Sequence, residues 1–190
     1  MSNSDDDKYK AMFSTDTAPV DGPPGNPAVF PCIMVGTAMV LGSALYAGGV
    51  EQRLTMLFDT PQAAVSFYKT TGALAITAAH GFCIILNANG RRVFGIPHPK
   101  SSTTEVGYLN ATRGYYNMVE HLPFFLFNYF MAYENTPCIA GVASIVFGIG
   151  RIVYAKGYAY KGPEARSTGF MMATMSSMAC LGIALCNSVL

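Results

Sequence analysis

Long apolar runs, each followed by a short polar connector, set the pattern of the chain. The first run, from Ala28 to Val50, contains no charged residue, and neither does the last, from Ser167 to Leu190. A helix of about 20 apolar residues is long enough to cross the hydrocarbon core of a bilayer. Three further segments are apolar over most of their length. The pattern therefore predicts five membrane-crossing helices, at about 28–50, 66–89, 105–133, 137–160 and 167–190.

The composition is also typical of a membrane protein. Hydrophobic residues make up 51% of the chain and charged residues 12%, whereas a soluble domain has roughly 25% charged residues. The net charge is only +1, which argues against a nucleic-acid partner because no basic face is present. The five cysteines are scattered singly and form no cluster with histidine, so we expect no metal site.

The segment before the first apolar run differs from the rest. Residues 1–27 are polar, acidic and rich in proline and glycine, and such a segment cannot bury enough apolar surface to fold by itself. It has no basic region followed by an apolar one, so we expect no cleavable signal peptide. The expected organisation is a tail at 1–27, an added helix at 28–50 and a helical membrane domain at 66–190.

Basic residues mark one side of the membrane. They concentrate in the loops at 90–107 and 156–166, whereas the turn at 131–137 has none. Positive charge favours the cytosolic side, or its equivalent in an organelle. We therefore expect both basic loops and the N-terminus on that side, and the C-terminus on the other.

Polar residues near the start of the third helix recur with helical spacing. Arg113, Asn117 and Glu120 stand at positions i, i+4 and i+7, so they share one face of the helix. Charged groups within a membrane helix are costly, and their presence usually indicates a function. This face is the first candidate for a site.

A second polar set lies on the helix that returns to the basic side. Arg151, Tyr154 and Tyr158 stand at positions i, i+3 and i+7, and Arg166 begins the last helix. Because the third and fourth helices run in opposite directions, both polar sets are expected at the basic end of the bundle. The sequence thus predicts one converged cluster there.

These side chains suit a small zwitterionic ligand with several carboxylates. Arginine binds a carboxylate through two parallel hydrogen bonds, a glutamate binds an ammonium, and an amide binds a peptide group. An arginine or tyrosine near a thiol stabilises the thiolate, which is its nucleophilic form. A second interpretation stays open, in which Glu120 and Arg151 neutralise each other and the tyrosines are anchors at the membrane surface.

Two motifs in this region resemble the signature of a known family. The motifs are Arg113-x-x-x-Asn117-x-x-Glu120-x-x-Pro123-Phe and Gly150-Arg-Ile-Val-Tyr154-Ala-Lys-Gly-Tyr158. In this order they resemble the membrane-associated eicosanoid and glutathione metabolism (MAPEG) family, most closely its type 3 microsomal glutathione S-transferases. The resemblance covers roughly residues 67–188 and is strongest over 109–170.

The resemblance implies a fold and an assembly. The fold is an all-α membrane protein with a four-helix transmembrane bundle of MAPEG type, to which residues 28–50 add one N-terminal transmembrane helix. The assembly is a homotrimer that binds glutathione between neighbouring subunits near the cytosolic face. The expected location is the membrane of the endoplasmic reticulum or of an organelle, mitochondrial or plastid.

The resemblance also implies glutathione as the cofactor and assigns residues to it. The catalytic pair would be Arg166, which stabilises the glutathione thiolate, and Tyr154, which assists it. The activity would be that of a glutathione transferase or peroxidase acting on lipophilic electrophiles or lipid hydroperoxides. The residues that would bind glutathione are Arg113, Asn117, Glu120, Tyr154, Tyr158 and Arg166.

Two other functions stay open. The same fold can serve as a non-catalytic accessory subunit of a large respiratory or photosynthetic membrane complex, attached through the helix at 28–50 and the N-terminal tail. It can also serve as a lipid-binding member without glutathione chemistry. The added helix, expected on the outside of the four-helix bundle, is the feature that favours an accessory subunit.

Overall fold

The structure is a computed structural model that describes Phe13 and residues 29–97 and 105–189. The rest of the predicted tail at 1–27 and part of the first basic loop lie outside the described residues. Helices make up most of the described part, which contains no strand. The α-helices are α1 (Val29–Ala47), α2 (Val50–Thr55), α3 (Pro61–Val93), α4 (Val106–Tyr133), α5 (Pro137–Lys161) and α6 (Ser167–Val189), and a 3₁₀ turn (Pro163–Arg166) precedes α6.

Helix α5 is the centre of the bundle. Helices α3, α4 and α6 all pack against it, and α4 also contacts both α3 and α6. At the α4–α5 interface the rings of Phe125 and Phe147 stack with their centroids 4.0 Å apart. Within the described residues, three segments are long and apolar enough to cross a membrane, namely Pro61–Val93, Pro137–Lys161 and Pro163–Ser188. The prediction of an all-α membrane bundle is confirmed.

Helix α1 packs along the outside of α6. The two helices run parallel, since Ala38 and Gly42 contact Gly182 and Ser43 lies further along against Cys186. A Cβ atom on Gly182 would collide with the carbonyl oxygen of Ala38. Small residues allow such close packing between membrane helices, where van der Waals contact replaces the hydrophobic effect as the main attraction.

The connector after α1 differs from the prediction. We expected a short polar connector between the helices at about 28–50 and 66–89, but α2 forms within this segment and α3 begins at Pro61. The hydroxyl oxygen of Thr60 accepts a hydrogen bond from the backbone N–H of Ala63 and caps α3. Proline at the first helical position costs nothing, because its missing N–H would have no partner there.

Glu51 of α2 joins the added N-terminal part to the bundle. Its two carboxylate oxygens accept hydrogen bonds from the backbone N–H groups of Cys138 at 3.0 Å and Ile139 at 2.9 Å. These N–H groups belong to the first turn of α5 and have no partner within the helix. The carboxylate also lies at the positive end of the helix dipole. Glu51 therefore caps the central helix from a distant part of the sequence.

Replacing Glu51 with alanine should destabilise the protein by about 1–2 kcal/mol, because two N–H groups of α5 lose their acceptor. Thermal unfolding of the purified protein in detergent measures the change. Arg53→Ala is the matched control, since Arg53 is an exposed residue of the same helix and such positions usually change stability by less than about 0.5 kcal/mol. Equal stability of the two variants would contradict the capping role of Glu51.

Candidate active site

The first polar set lies on one face of α4, at the end next to the basic loops. Nη1 of Arg113 is 3.9 Å from Oε1 of Glu120, and these side chains are 36% and 55% exposed. Asn117 stands between them along the helix and is buried. The face therefore has two charged groups at the surface of the chain and one amide that points into the bundle.

Arg151 occupies the interior behind this face. Its side chain is 2% exposed, and it is among the largest fully buried side chains of the described residues. Its Nη2 atom donates to Oδ1 of Asn117 at 2.8 Å and also to the backbone carbonyl oxygen of Asn117. Glu120 and Arg151 therefore form no direct ion pair in the described part of the chain, because Glu120 pairs with Arg113 and Arg151 bonds to Asn117.

Aromatic rings surround the buried guanidinium group. Cζ of Arg151 lies 5.5 Å from the ring centroid of Phe147 and 5.4 Å from that of Tyr154. Aromatic faces attract cations, and more strongly where water is excluded. Together with the two hydrogen bonds to Asn117, these contacts compensate the removal of the charge from water.

The chain reversal after α5 brings Arg166 beside the tyrosines. Gly162 has a φ of 83°, a conformation that glycine adopts without strain, and the 3₁₀ turn follows directly. Cζ of Arg166 then lies 5.8 Å from the ring centroid of Tyr158. The rings of Tyr154 and Tyr158 are 5.6 Å apart. The Tyr158 hydroxyl is buried and has no hydrogen-bond partner among the described residues.

These elements enclose a cavity of about 260 Å³ between α4, α5 and the start of α6. Glu120 is connected to it through its ion pair with Arg113, whereas Tyr158 lies behind Arg166. Phe170 was not predicted, although it stands four residues after Arg166 and hence on the same side of the chain. The lining residues are Arg113, Asn117, Tyr154, Arg166 and Phe170.

The sequence model of the MAPEG family matches residues 64–186 of this chain. The chain belongs to the MAPEG family. The matched segment contains helices α3 to α6 almost entirely and every candidate site residue, whereas α1 and α2 precede it. The predicted family is thus confirmed, and the type 3 branch stays a prediction.

The chain is also similar to an uncharacterized protein of Synechocystis sp. The two sequences are 34% identical over 97 residues, which is 50% of this chain and 69% of that protein. Because that relative is uncharacterized, the likeness assigns no activity to this chain.

A double-mutant cycle tests the link between Arg151 and Asn117 in this MAPEG bundle. Arg151→Met and Asn117→Leu should each destabilise the protein, since each leaves a buried polar group without its partner. The double variant should be more stable than the sum of the single effects by about 1.5–3 kcal/mol, the range for a hydrogen bond to a charged group. Unfolding by urea in mixed micelles measures all four proteins.

The matched control is the cycle of Arg113→Met and Glu120→Leu. This pair is partly exposed, so its coupling should stay below about 1 kcal/mol. A coupling between Arg151 and Asn117 as small as that of the control would show that the buried bond contributes little to the bundle.

Proposed function

We propose that the protein is a membrane-bound glutathione transferase or peroxidase acting on lipophilic electrophiles or lipid hydroperoxides. The observation that carries the proposal is the cavity at the basic end, in which two guanidinium groups, an amide and a phenol converge. Membership of the MAPEG family supports it, because the family includes enzymes that use glutathione.

Glutathione has two carboxylates, one ammonium group, two amides and one thiol, and the candidate residues are complementary to it. Arg113 binds a carboxylate, and Glu120, already 3.9 Å from Arg113, binds the ammonium group. The Asn117 side chain binds an amide of the tripeptide, with its oxygen held by Arg151 and its NH₂ group turned to the ligand. Tyr154 lines the pocket, and Tyr158 lies behind Arg166 and holds it in place.

Arg166 stabilises the thiolate form of bound glutathione. Its guanidinium group lines the cavity and is held against the ring of Tyr158. A positive charge beside a thiol lowers the thiol pKa, and the thiolate is the nucleophile that attacks an electrophilic carbon or a peroxide oxygen. Tyr154 assists by placing its hydroxyl in the same cavity.

The partial exposure of Arg113 and Glu120 favours a site between neighbouring subunits of a homotrimer. Both charged groups lie on the surface of a single chain, where a second chain would exclude water from them. Deeper along α4, Phe124, Phe127 and Phe130 are exposed to the surroundings of the bundle. This apolar surface provides the route by which a lipid substrate reaches the thiolate sideways from the bilayer, in the endoplasmic reticulum or an organelle.

The second candidate function is that of a non-catalytic accessory subunit of a large respiratory or photosynthetic membrane complex. The observation that favours it is helix α1, which covers one side of α6 and makes that side unavailable for contact between copies of the chain. The presence of the cavity at the basic end does not exclude an accessory role, since a residue that lines it, Asn117, also stabilises the bundle through its bond to Arg151.

Replacing Arg166 with alanine should lower kcat/KM for glutathione conjugation about 10- to 30-fold at pH 7. A thiol with an ordinary pKa of about 8.5 is only roughly 3% thiolate at that pH. The loss should largely disappear at pH 9, where deprotonation no longer requires the arginine.

Glu120→Gln should instead raise KM for glutathione, because it removes the charge that binds the ammonium group. Arg53→Ala, which changes an exposed arginine on α2, is the control and should change neither kcat/KM nor KM. The same low background rate in wild type and all variants, for both conjugation and hydroperoxide reduction, would overturn the proposal.

Native mass measurement after gentle extraction should give a homotrimer of about three times the chain mass of 20.3 kDa. Each trimer should bind glutathione in the absence of other polypeptides. Co-migration with many other polypeptides, combined with absent glutathione binding, would favour the accessory subunit.

A further inference from the structure

A second cavity lies at the end of the bundle opposite to the candidate active site. Its volume is about 460 Å³, within the range of roughly 300–1,000 Å³ typical of small-molecule sites. It forms where α1 ends, α2 begins, α4 turns into α5 and α6 ends. The lining residues are Leu45, Tyr46, Glu51, Gln52, Asn135, Thr136, Ile139 and Asn187. Four of them precede the segment that matches the MAPEG family.

The lining is polar and contains no basic side chain. Both carboxylate oxygens of Glu51 already accept N–H groups of α5, while the negative charge of the group remains. The hydroxyl of Thr136 donates to the carbonyl oxygen of Ala132 at 2.8 Å. The side chains that remain to contact a ligand are three amides and one phenol, those of Gln52, Asn135, Asn187 and Tyr46.

One of these amides has a polar atom without a partner. Nδ2 of Asn187 is buried and makes no hydrogen bond within the described part of the chain. A buried donor without an acceptor is costly, and native proteins rarely leave one so. A turn of the Asn187 side chain would bring this donor to an acceptor on a molecule in the cavity that Asn187 lines.

We propose that this cavity binds an uncharged, polyhydroxylated ring: a hexose, either as the headgroup of a glycolipid or as a free sugar. Sugar hydroxyls both donate and accept hydrogen bonds, which matches the amides of Gln52, Asn135 and Asn187. A phosphate is disfavoured, because the lining lacks arginine and lysine and contains the carboxylate of Glu51. A cationic headgroup would have to share the Glu51 oxygens with two N–H groups of α5, and the lining offers it no second carboxylate.

The test uses the full chain purified in a polyoxyethylene detergent, which has no sugar headgroup. The protein is titrated with a hexosyl diacylglycerol, with phosphatidylcholine of the same acyl chains, and with a methyl hexoside. Native mass spectrometry counts bound molecules, and thermal unfolding measures the shift in Tm. The variants are Gln52→Ala and Asn187→Leu. The matched control is Asn89→Leu, an exposed asparagine near the other end of α3.

One hexosyl lipid per chain should bind and raise the Tm, whereas phosphatidylcholine should not. Each cavity variant should weaken this binding about tenfold, as expected for the loss of one hydrogen bond, and the control should bind normally. Binding of the methyl hexoside with the same dependence on the variants identifies the free sugar as the ligand. Gln52→Ala decides the test if Asn187→Leu does not fold, because Gln52 is exposed.

The proposal is overturned if neither sugar compound binds to the wild type. It is also overturned if phosphatidylcholine binds as tightly as the hexosyl lipid, or if the Gln52→Ala variant binds both sugar compounds normally. Because no residue of this cavity belongs to the candidate active site, these results are independent of glutathione chemistry.

Discussion

A guanidinium group buried inside a membrane bundle must find its hydrogen-bond partners within the protein, because neither water nor lipid can supply them. Arg151 meets this constraint with the side chain and backbone of Asn117 and with the faces of two aromatic rings. The bond joins α4 to α5 at the depth where the candidate site begins. It also holds the side-chain oxygen of Asn117 toward the interior of the bundle. The NH₂ group is then the part of this amide that remains to bind a ligand. This one interaction therefore holds in place the wall of the cavity that Asn117 forms.

Much of the fold and part of the site could be predicted from the sequence. The long apolar runs are sufficient to recognise membrane helices, because a bilayer imposes a minimum length on each of them. The spacing of Arg113, Asn117 and Glu120 correctly indicates one face, since the helical period is fixed. The partner of Arg151 could not be deduced this way. Arg113, Asn117 and Glu120 lie on one face of α4 but at different positions along its axis. Which of them meets Arg151 depends on the axial offset between α4 and α5, and the sequence of neither helix determines that offset.

The long-range contacts of the N-terminal part could not be predicted from the sequence either. Residues 50–55 are too polar and too few for their sequence to indicate a helix. Helix α2 is stabilised by its contacts with α1, α3 and α5. Glu51 is 87 residues away from Cys138 in sequence, so no local pattern connects them. Likewise, Gly182 is one of several small residues in an apolar run, and only the packing of α1 distinguishes it. The roles of the cavity residues in catalysis remain predictions.

The contact between α1 and α6 also has a consequence for biosynthesis. Gly42 and Gly182 touch although 140 residues separate them, so the Gly42 face of α1 has no partner until this part of α6 has been made. At about 5–20 residues per second, the ribosome needs roughly 7–30 s to add that length. During this interval the small-residue face of α1 is without the contact that covers it in the folded protein. The docking of α1 onto α6 is therefore a late step of assembly, which follows the synthesis of α2 to α5.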